Sequence, residues 1–325
     1  MAMAENSPQD ILDPLDLMLI KELEVDARQS YAALAAKLST THMTVYRRLQ
    51  RLLNKRLITL TTIADPTPLG YKIEAAIAIN VQIGKVDEVA NQLAAFGNVS
   101  VVMVTVGRYD IIAWITTRDH EELLDFSSKA LARIRGITNA ETLMSIKNVK
   151  HLWEYFTTEK SFQVKGARDH VLDELDLMLI RELEAEPRES VAHLARKIGV
   201  SPSGVTRRLQ TLRREGFIKI VSIAHPAALG YRIRAVIFFK VDPAKTIVTA
   251  ERLAQYPNVM HMVIATGRFD IIAWTVFKDE RHMADFLINE LGTHDSEIIR
   301  YETAIILKTP KVSYTVLSRN DRDQL

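Results

Sequence analysis

From Leu15 the apolar residues return at helical intervals, Leu15, Met18, Leu19 and Leu23, behind Asp13-Pro14, a capping residue followed by the proline that suits a first turn. Tyr31, Leu34, Ala35 and Leu38 predict a second, short helix. In a third, Val45, Leu49 and Leu52 fall in one narrow sector at about 100° per residue, while Met43, Thr44, Arg47, Gln50 and Arg51 project to the other side. Leu57 to Ile63 is β-rich, a short wing or a connecting strand. From Ile73 the period becomes two: Ile73, Ala75, Ile77, Ile79 and Val81 share one face, and Glu74, Ala76, Ala78 and Asn80 the other. A helix over 86–96, a strand over 99–106, a turn at Gly107-Arg108, a strand over 110–117, a helix over 121–135 and a strand near 141–146 complete the order βαββαβ, which is ferredoxin-like.

The whole pattern is then written a second time. Leu-Asp-Leu-Met-Leu-Ile at 15–20 recurs at 175–180. The same displacement relates Arg47-Arg48-Leu49-Gln50 to Arg207-Arg208-Leu209-Gln210 and Gly107-Arg108-Tyr109-Asp110 to Gly267-Arg268-Phe269-Asp270. So long a period lies outside the roughly 20 to 50 residues of solenoid repeats, and each copy is expected to bury its own core. The fold class expected is α+β: two tandem copies of a winged helix-turn-helix domain followed by a ferredoxin-like βαββαβ domain, at 11–62 and 71–150, then at 171–222 and 231–312. Helices cover one face of such a sheet. On the other face Val236 and Phe238 stand where the first copy has Ala76 and Ala78, too apolar for water, which predicts sheet-to-sheet pairing of the halves with each other or with a second chain.

Two short helices joined by a tight turn after a longer first helix are the parts of a DNA reader. Its candidate contacts are Met43, Thr44, Arg47, Arg48, Gln50 and Arg51 in the first copy and Ser201, Ser203, Gly204, Arg207, Arg208, Gln210, Thr211 and Arg214 in the second. Arginine and glutamine match guanine and adenine edges, and small residues at the start of the helix let it approach the groove floor. A solvated helix face explains one such set; its appearance twice, inside two helix-turn-helix patterns, favours DNA. Arg48 and Arg208 sit nearer the core edge and suit a phosphate contact or an internal salt bridge equally well. The first copy has Ser39 to Thr44 where the second has Gly199 to Gly204, without the turn glycine or the Pro202 start. It is expected to read a different half-site or to contribute only phosphate contacts.

Composition narrows the classes. With 47% hydrophobic and 25% charged residues the chain is ordinary for a globular protein, and no apolar run nears the roughly 18 residues of a bilayer span, so no membrane partner is expected. The first residues lack a secretory pattern, and the absence of cysteine excludes disulfides, thiolate metal sites and a cysteine nucleophile and fits a cytoplasmic protein. A net charge of +2 leaves any DNA role to local clusters. There is no glycine-rich phosphate loop, no metal-ligand spacing and no catalytic carboxylate pair, so no catalytic residue, metal or cofactor is predicted.

The openings Leu12-Asp13 to Asp16 and Leu172-Asp173 to Asp176, the run Gly199-Val200-Ser201-Pro202-Ser203 with Arg207-Arg208-Leu209, the connector Pro66 to Leu69-Gly70 and the Gly-Arg-Tyr/Phe-Asp turns resemble the Lrp/AsnC, or feast/famine, transcriptional regulators over nearly the whole chain, twice. The resemblance implies double-stranded DNA as partner and homo-oligomers built by pairing effector domains across their sheets. It also implies an amino acid or related metabolite bound near the turn, which makes Gly107, Arg108, Tyr109 and Asp110, with Gly267, Arg268, Phe269 and Asp270, the effector candidates. There an arginine could clamp a carboxylate and an aspartate accept from an ammonium; the plainer reading is a hairpin turn capped by its aspartate. Trp114 and Trp274 are expected in the core. Phe269 lacks the hydroxyl of Tyr109, so the two sites need not be equal.

The scaffold is also similar to fused siroheme decarboxylases, and a tetrapyrrole-handling enzyme is the alternative. Those enzymes carry a basic or histidine-containing segment leading into Tyr-Asn-Leu-Trp, where this chain has Asp110-Ile111-Ile112-Ala113 and Asp270-Ile271-Ile272-Ala273. His261, the one histidine near that region, is expected to be structural. A regulator, not an enzyme, is the preferred reading.

Overall fold

The computed structural model describes residues 12–150, 170–294, 297–315 and 317; the connection expected over 151–170 lies outside them except for His170. The first copy runs α1 (Pro14–Val25), α2 (Tyr31–Lys37), α3 (His42–Asn54), β1 (Ile58–Ala64), β2 (Ile73–Val81), α4 (Val86–Ala95), β3 (Val99–Val106), β4 (Ile111–Thr117), α5 (His120–Asp125) and β5 (Ile137–Lys150). The second runs α6 (Glu174–Ala185), α7 (Val191–Ile198), α8 (Pro202–Arg214), β6 (Ile218–Ala224), β7 (Ile233–Val241), α9 (Thr246–Leu253), β8 (Val259–Ala265), β9 (Ile271–Phe277), α10 (Glu280–Asp285) and β10 (Ile298–Val312).

These elements group by kind rather than by copy. One compact unit holds the described residues up to Ala64 with those from 170 to Arg232, both helix-turn-helix domains; the other holds both sheets. In the first unit the β-rich segment after α3, expected as a wing or a connecting strand, is a strand paired with its counterpart: β1 runs antiparallel to β6, Thr61 opposite Val221. Thr62 Oγ1 donates to Leu183 O at 2.6 Å and Ala27 N–H to Ile220 O at 2.8 Å, so each strand also serves the first helix of the other copy. Arg28 donates to the carbonyls of Pro187 and Glu189, Arg188 returns a bond to Gln29 O, and Arg213 meets Asp26 at 2.7 Å. Leu19, Leu23, Leu34, Val45, Leu49 and Leu52 are fully buried, and truncating any one of these leucines to alanine costs about 2–5 kcal/mol. Met18, expected inward, is half exposed, and Ile20 is buried in its stead, because β6 covers that side of α1.

α1 and α6 begin with reciprocal capping boxes. Asp16 N–H donates to Asp13 Oδ1 at 2.9 Å and Asp13 N–H to Asp16 Oδ2 at 3.2 Å, and Asp173 and Asp176 repeat the arrangement. The turn before α8 uses Gly199 at φ 72°; before α3 Ser39 takes φ 50° in its place, so the geometry survives the loss of glycine.

In the second unit the strand order is β10-β3-β4-β2-β5-β8-β9-β7, closed by β7 pairing with β10. Each copy supplies a four-stranded sheet, and the sheets join where β5 meets β8 and β10 meets β3. Ala75, Ile77 and Ile79 face α4 through Val89, Ala90 and Leu93. The opposite faces meet in one core of Ala76, Ala78, Tyr109 and Ile112 with Val236, Phe238, Phe269 and Ile272. Small residues of one half receive large residues of the other, a volume match suited to pairing within one chain. Each sheet's apolar face is covered by the other half of the same chain, one of the two pairings expected. The predicted strand near 141–146 extends to Lys150 because its second half pairs with β8, and the predicted helix over 121–135 ends at Asp125, followed by a π-turn at Phe126–Ala130 and a 3-10 turn at Leu131–Arg133.

Candidate DNA-reading helices and effector cluster

α3 and α8 each bury three apolar residues, Val45, Leu49 and Leu52 or Val205, Leu209 and Leu212, and turn the other side to solvent. Thr41 and Ser201 cap them, accepting from the amides of Thr44 and Gly204 at 3.1 Å. Arg47 and Arg207 are exposed and make no ion pair among the described residues; Met43 is 53% exposed, and Ser203 and Gln210 are exposed while Thr44, Gln50, Gly204 and Thr211 are half-buried. Arg214 is exposed beside Glu215 at 3.1 Å. These side chains share a face that a duplex groove could admit.

Arg48 and Arg208 leave that set. Arg48 donates to Asp13 Oδ2 at 2.6 Å and Asp16 Oδ1 at 2.8 Å; Arg208 reaches Asp173 and Asp176 at 2.8 and 2.7 Å. Asp16 and Asp176 are fully buried, and a buried carboxylate without a charged partner is costly, which fixes both arginines inward. The bond from Arg48 also holds the Asp13 carboxyl below the usual carboxylate range. Arg51, expected to face DNA, is half exposed but also paired with Asp16. In the second copy its position is Thr211, and His170 Nε2 meets Asp176 Oδ2 at 2.6 Å instead.

The two Gly-Arg-Tyr/Phe-Asp turns lie in the other unit. Gly107 has φ 141°, and a Cβ there would come within 2.5 Å of Thr303 O, so the first turn needs glycine because β10 passes so close. Tyr109 is 1% exposed; its hydroxyl donates to Glu141 Oε2 at 2.8 Å and accepts from Arg108 Nε at 3.1 Å, and burial pushes the phenol up to about 12. Arg108 lies 3.2 Å from Glu302 and 3.6 Å from Glu141, and Arg268 lies 3.9 Å from Glu302. Phe269 offers no hydroxyl to Glu302; Arg268 and Arg300 lie 5.8 and 5.9 Å from its ring centre.

Asp110 and Asp270 do not point into this cluster as ammonium acceptors. Asp110 Oδ2 accepts from Val81 N–H at 2.8 Å; Asp270 accepts from Val241 N–H at 2.9 Å and Lys240 Nζ at 2.8 Å. They cap the turn, and the carboxylates that face the arginines are Glu141 and Glu302, which the sequence reading missed. A signal existed, since each is a charged residue opposite an inner-face apolar residue, Ala78 or Phe238. Trp114 and Trp274 stack edge-to-face at 5.2 Å, and His261 meets Lys150 O at 2.7 Å, core roles as expected.

Comparison with known proteins agrees with this arrangement. Residues 12–53 match the AsnC-type helix-turn-helix domain, 172–219 the winged helix-turn-helix DNA-binding domain, and 74–152 and 234–316 the Lrp/AsnC ligand binding domain. An uncharacterized HTH-type transcriptional regulator of Pyrococcus horikoshii is 33% identical over 147 residues, 44% of this chain and 90% of that protein. The HTH-type transcriptional regulator FL11 of the same organism is 31% identical over 144 residues, 44% of this chain and 95% of its own length. Such relatives thus correspond to one copy of the repeat. Among solved structures the siroheme decarboxylase NirDL covers 95% of this chain and 97% of its own, with a TM-score of 0.66 and 14% identity, a likeness of fold.

Proposed function

This chain belongs to the Lrp/AsnC family, and on that premise we propose that it is a sequence-specific DNA-binding transcriptional regulator in which a single chain supplies both readers of an operator. The observation that carries the reading is the pairing of β1 with β6, which joins α3 and α8 in one unit with Arg47 and Arg207 both exposed and without ion partners among the described residues. The relatives match one copy of the repeat, whereas this chain carries two readers. Binding in a fluorescence-anisotropy titration against fragments of its own genome should weaken steeply with salt, and the double variant Arg47→Ala, Arg207→Ala should lose the preference for specific over random duplex. Unchanged preference would overturn the reading.

The effector belongs to the paired sheets. Guanidinium groups of Arg108 and Arg268 beside carboxylates of Glu141 and Glu302 suit a small zwitterion, an amino acid or near relative, whose carboxylate meets an arginine and whose ammonium meets a glutamate. A thermal-shift panel of amino acids tests it: a binder raises Tm, and Arg108→Ala removes the rise. The decarboxylase alternative keeps only the shared fold, and incubation with a tetrapyrrole is expected to give no Soret band.

A further inference from the structure

The two recognition helices are alike inside and unlike outside. Along the 13 residues of each, the buried Val, Leu and Leu and the run Arg-Arg-Leu-Gln are common to both. Every difference falls at an exposed or half-buried position: His42 against Pro202, Met43 against Ser203, Thr44 against Gly204, Tyr46 against Thr206, Arg51 against Thr211, Leu53 against Arg213 and Asn54 against Arg214. The contrast is sharpest at the N-terminal end, the part of a reader that meets base edges. Met43 is 53% and Tyr46 43% exposed, and Tyr31 stacks edge-on against both His42 and Tyr46, so the first helix opens with a bulky, largely apolar shoulder. The second has Pro202, Ser203 and Thr206 at the same places and Gly204 where the first has Thr44, with the Ser203 and Ser201 hydroxyls 3.1 Å apart. At the far end Arg51 is paired with Asp16, whereas Thr211 leaves Asp176 to His170 and Arg214 stays 68% exposed.

Resting on the reading of the chain as a DNA regulator, we infer that its operator is not a palindrome but two unlike half-sites, bound in one fixed orientation. A homodimer must present the same side chains twice, and two-fold symmetry in the protein is mirrored in its site. Here the backbone is near-symmetric through β1 and β6 while the side chains are not. The shared Arg47 and Arg207 with Gln50 and Gln210 supply a common element in each half-site. Met43 and Tyr46 favour apolar contact with a thymine methyl group; Ser203 and Gly204 favour close approach and a hydroxyl hydrogen bond to a base edge.

The test is selection of binding sites by the full-length chain from a random duplex library. The expected product is a motif of two different half-sites. Synthetic duplexes carrying either half-site twice, in inverted repeat, should bind at least about tenfold more weakly, the order of the cost of mismatched base pairs. Met43→Ser should then change base preference in one half-site only, and Ser203→Met in the other only; both positions are exposed, so the fold is retained. A palindromic motif overturns the inference while leaving the regulator reading intact. A motif confined to one half-site does the same, showing that one helix reads no bases. No enriched motif at all overturns the regulator reading itself.

Discussion

Arg48 Nη1 donates to Asp16 Oδ1 at 2.8 Å, and Asp16, at the third position of α1, is wholly buried. One carboxylate thus closes the capping box of α1 and anchors two arginines of the recognition helix, which sets the angle at which α3 leaves the core. Asp16→Ala removes the shared acceptor, leaving Arg48 with Asp13 alone and depriving Arg51 of its Asp16 partner. Because Arg48 is partly exposed, the expected loss is about 2–3 kcal/mol rather than the larger figure for a fully buried pair, read as a fall in the urea midpoint of the helix-turn-helix unit.

The same contact carries a pH signature. Asp13 is held below its ordinary value by Arg48, so its contribution is present above about pH 4 and lost as pH falls through the depressed folded value. Between pH 6 and pH 3 the stability gap separating wild type from Arg48→Gln should narrow; a gap that widens would refute the assignment.

Ser39 holds a left-handed backbone that its counterpart Gly199 adopts without strain. Ser39→Gly should raise stability by about 0.5–1 kcal/mol, visible as a higher Tm, whereas Gly199→Ser should lower it by a similar amount.

Gly107 lies against Thr303 O so closely that a methyl group cannot enter without moving β10. Gly107→Ala should cost about 2 kcal/mol or more in the paired-sheet unit through overpacking and backbone strain. Tyr109→Phe copies the natural Phe269 and should be milder, removing the hydroxyl's bonds to Glu141 and Arg108 at a cost of about 1–2 kcal/mol.

Much of this was legible in the sequence because burial writes a period. Val45, Leu49 and Leu52 at helical spacing and Ile73 to Val81 at alternate positions gave the elements, and Ala76 and Ala78 against Val236 and Phe238 pointed to a sheet-to-sheet pairing, with the other half or with a second chain, of which the first is present. What could not be read was the identity of partners distant in the chain. Arg48 looks the same on a helical wheel whether it meets phosphate or Asp16, and only the placement of α1 decides it. Asp110 seemed a ligand group until Val81 N–H claimed it, and Glu141 and Glu302 gained their role only when the strands bearing them were drawn beside the turns of both copies. The extra length of β5 and β10 has no hydrophobic signature because those residues form the seams between sheets, where one side is open to solvent.

The central claim, that one chain places two recognition helices on DNA, is tested most directly by hydroxyl-radical footprinting of a selected operator with Arg47→Ala and Arg207→Ala made singly. Each variant should lose protection over one half-site while keeping the other. Wild-type footprints from both variants would contradict the account.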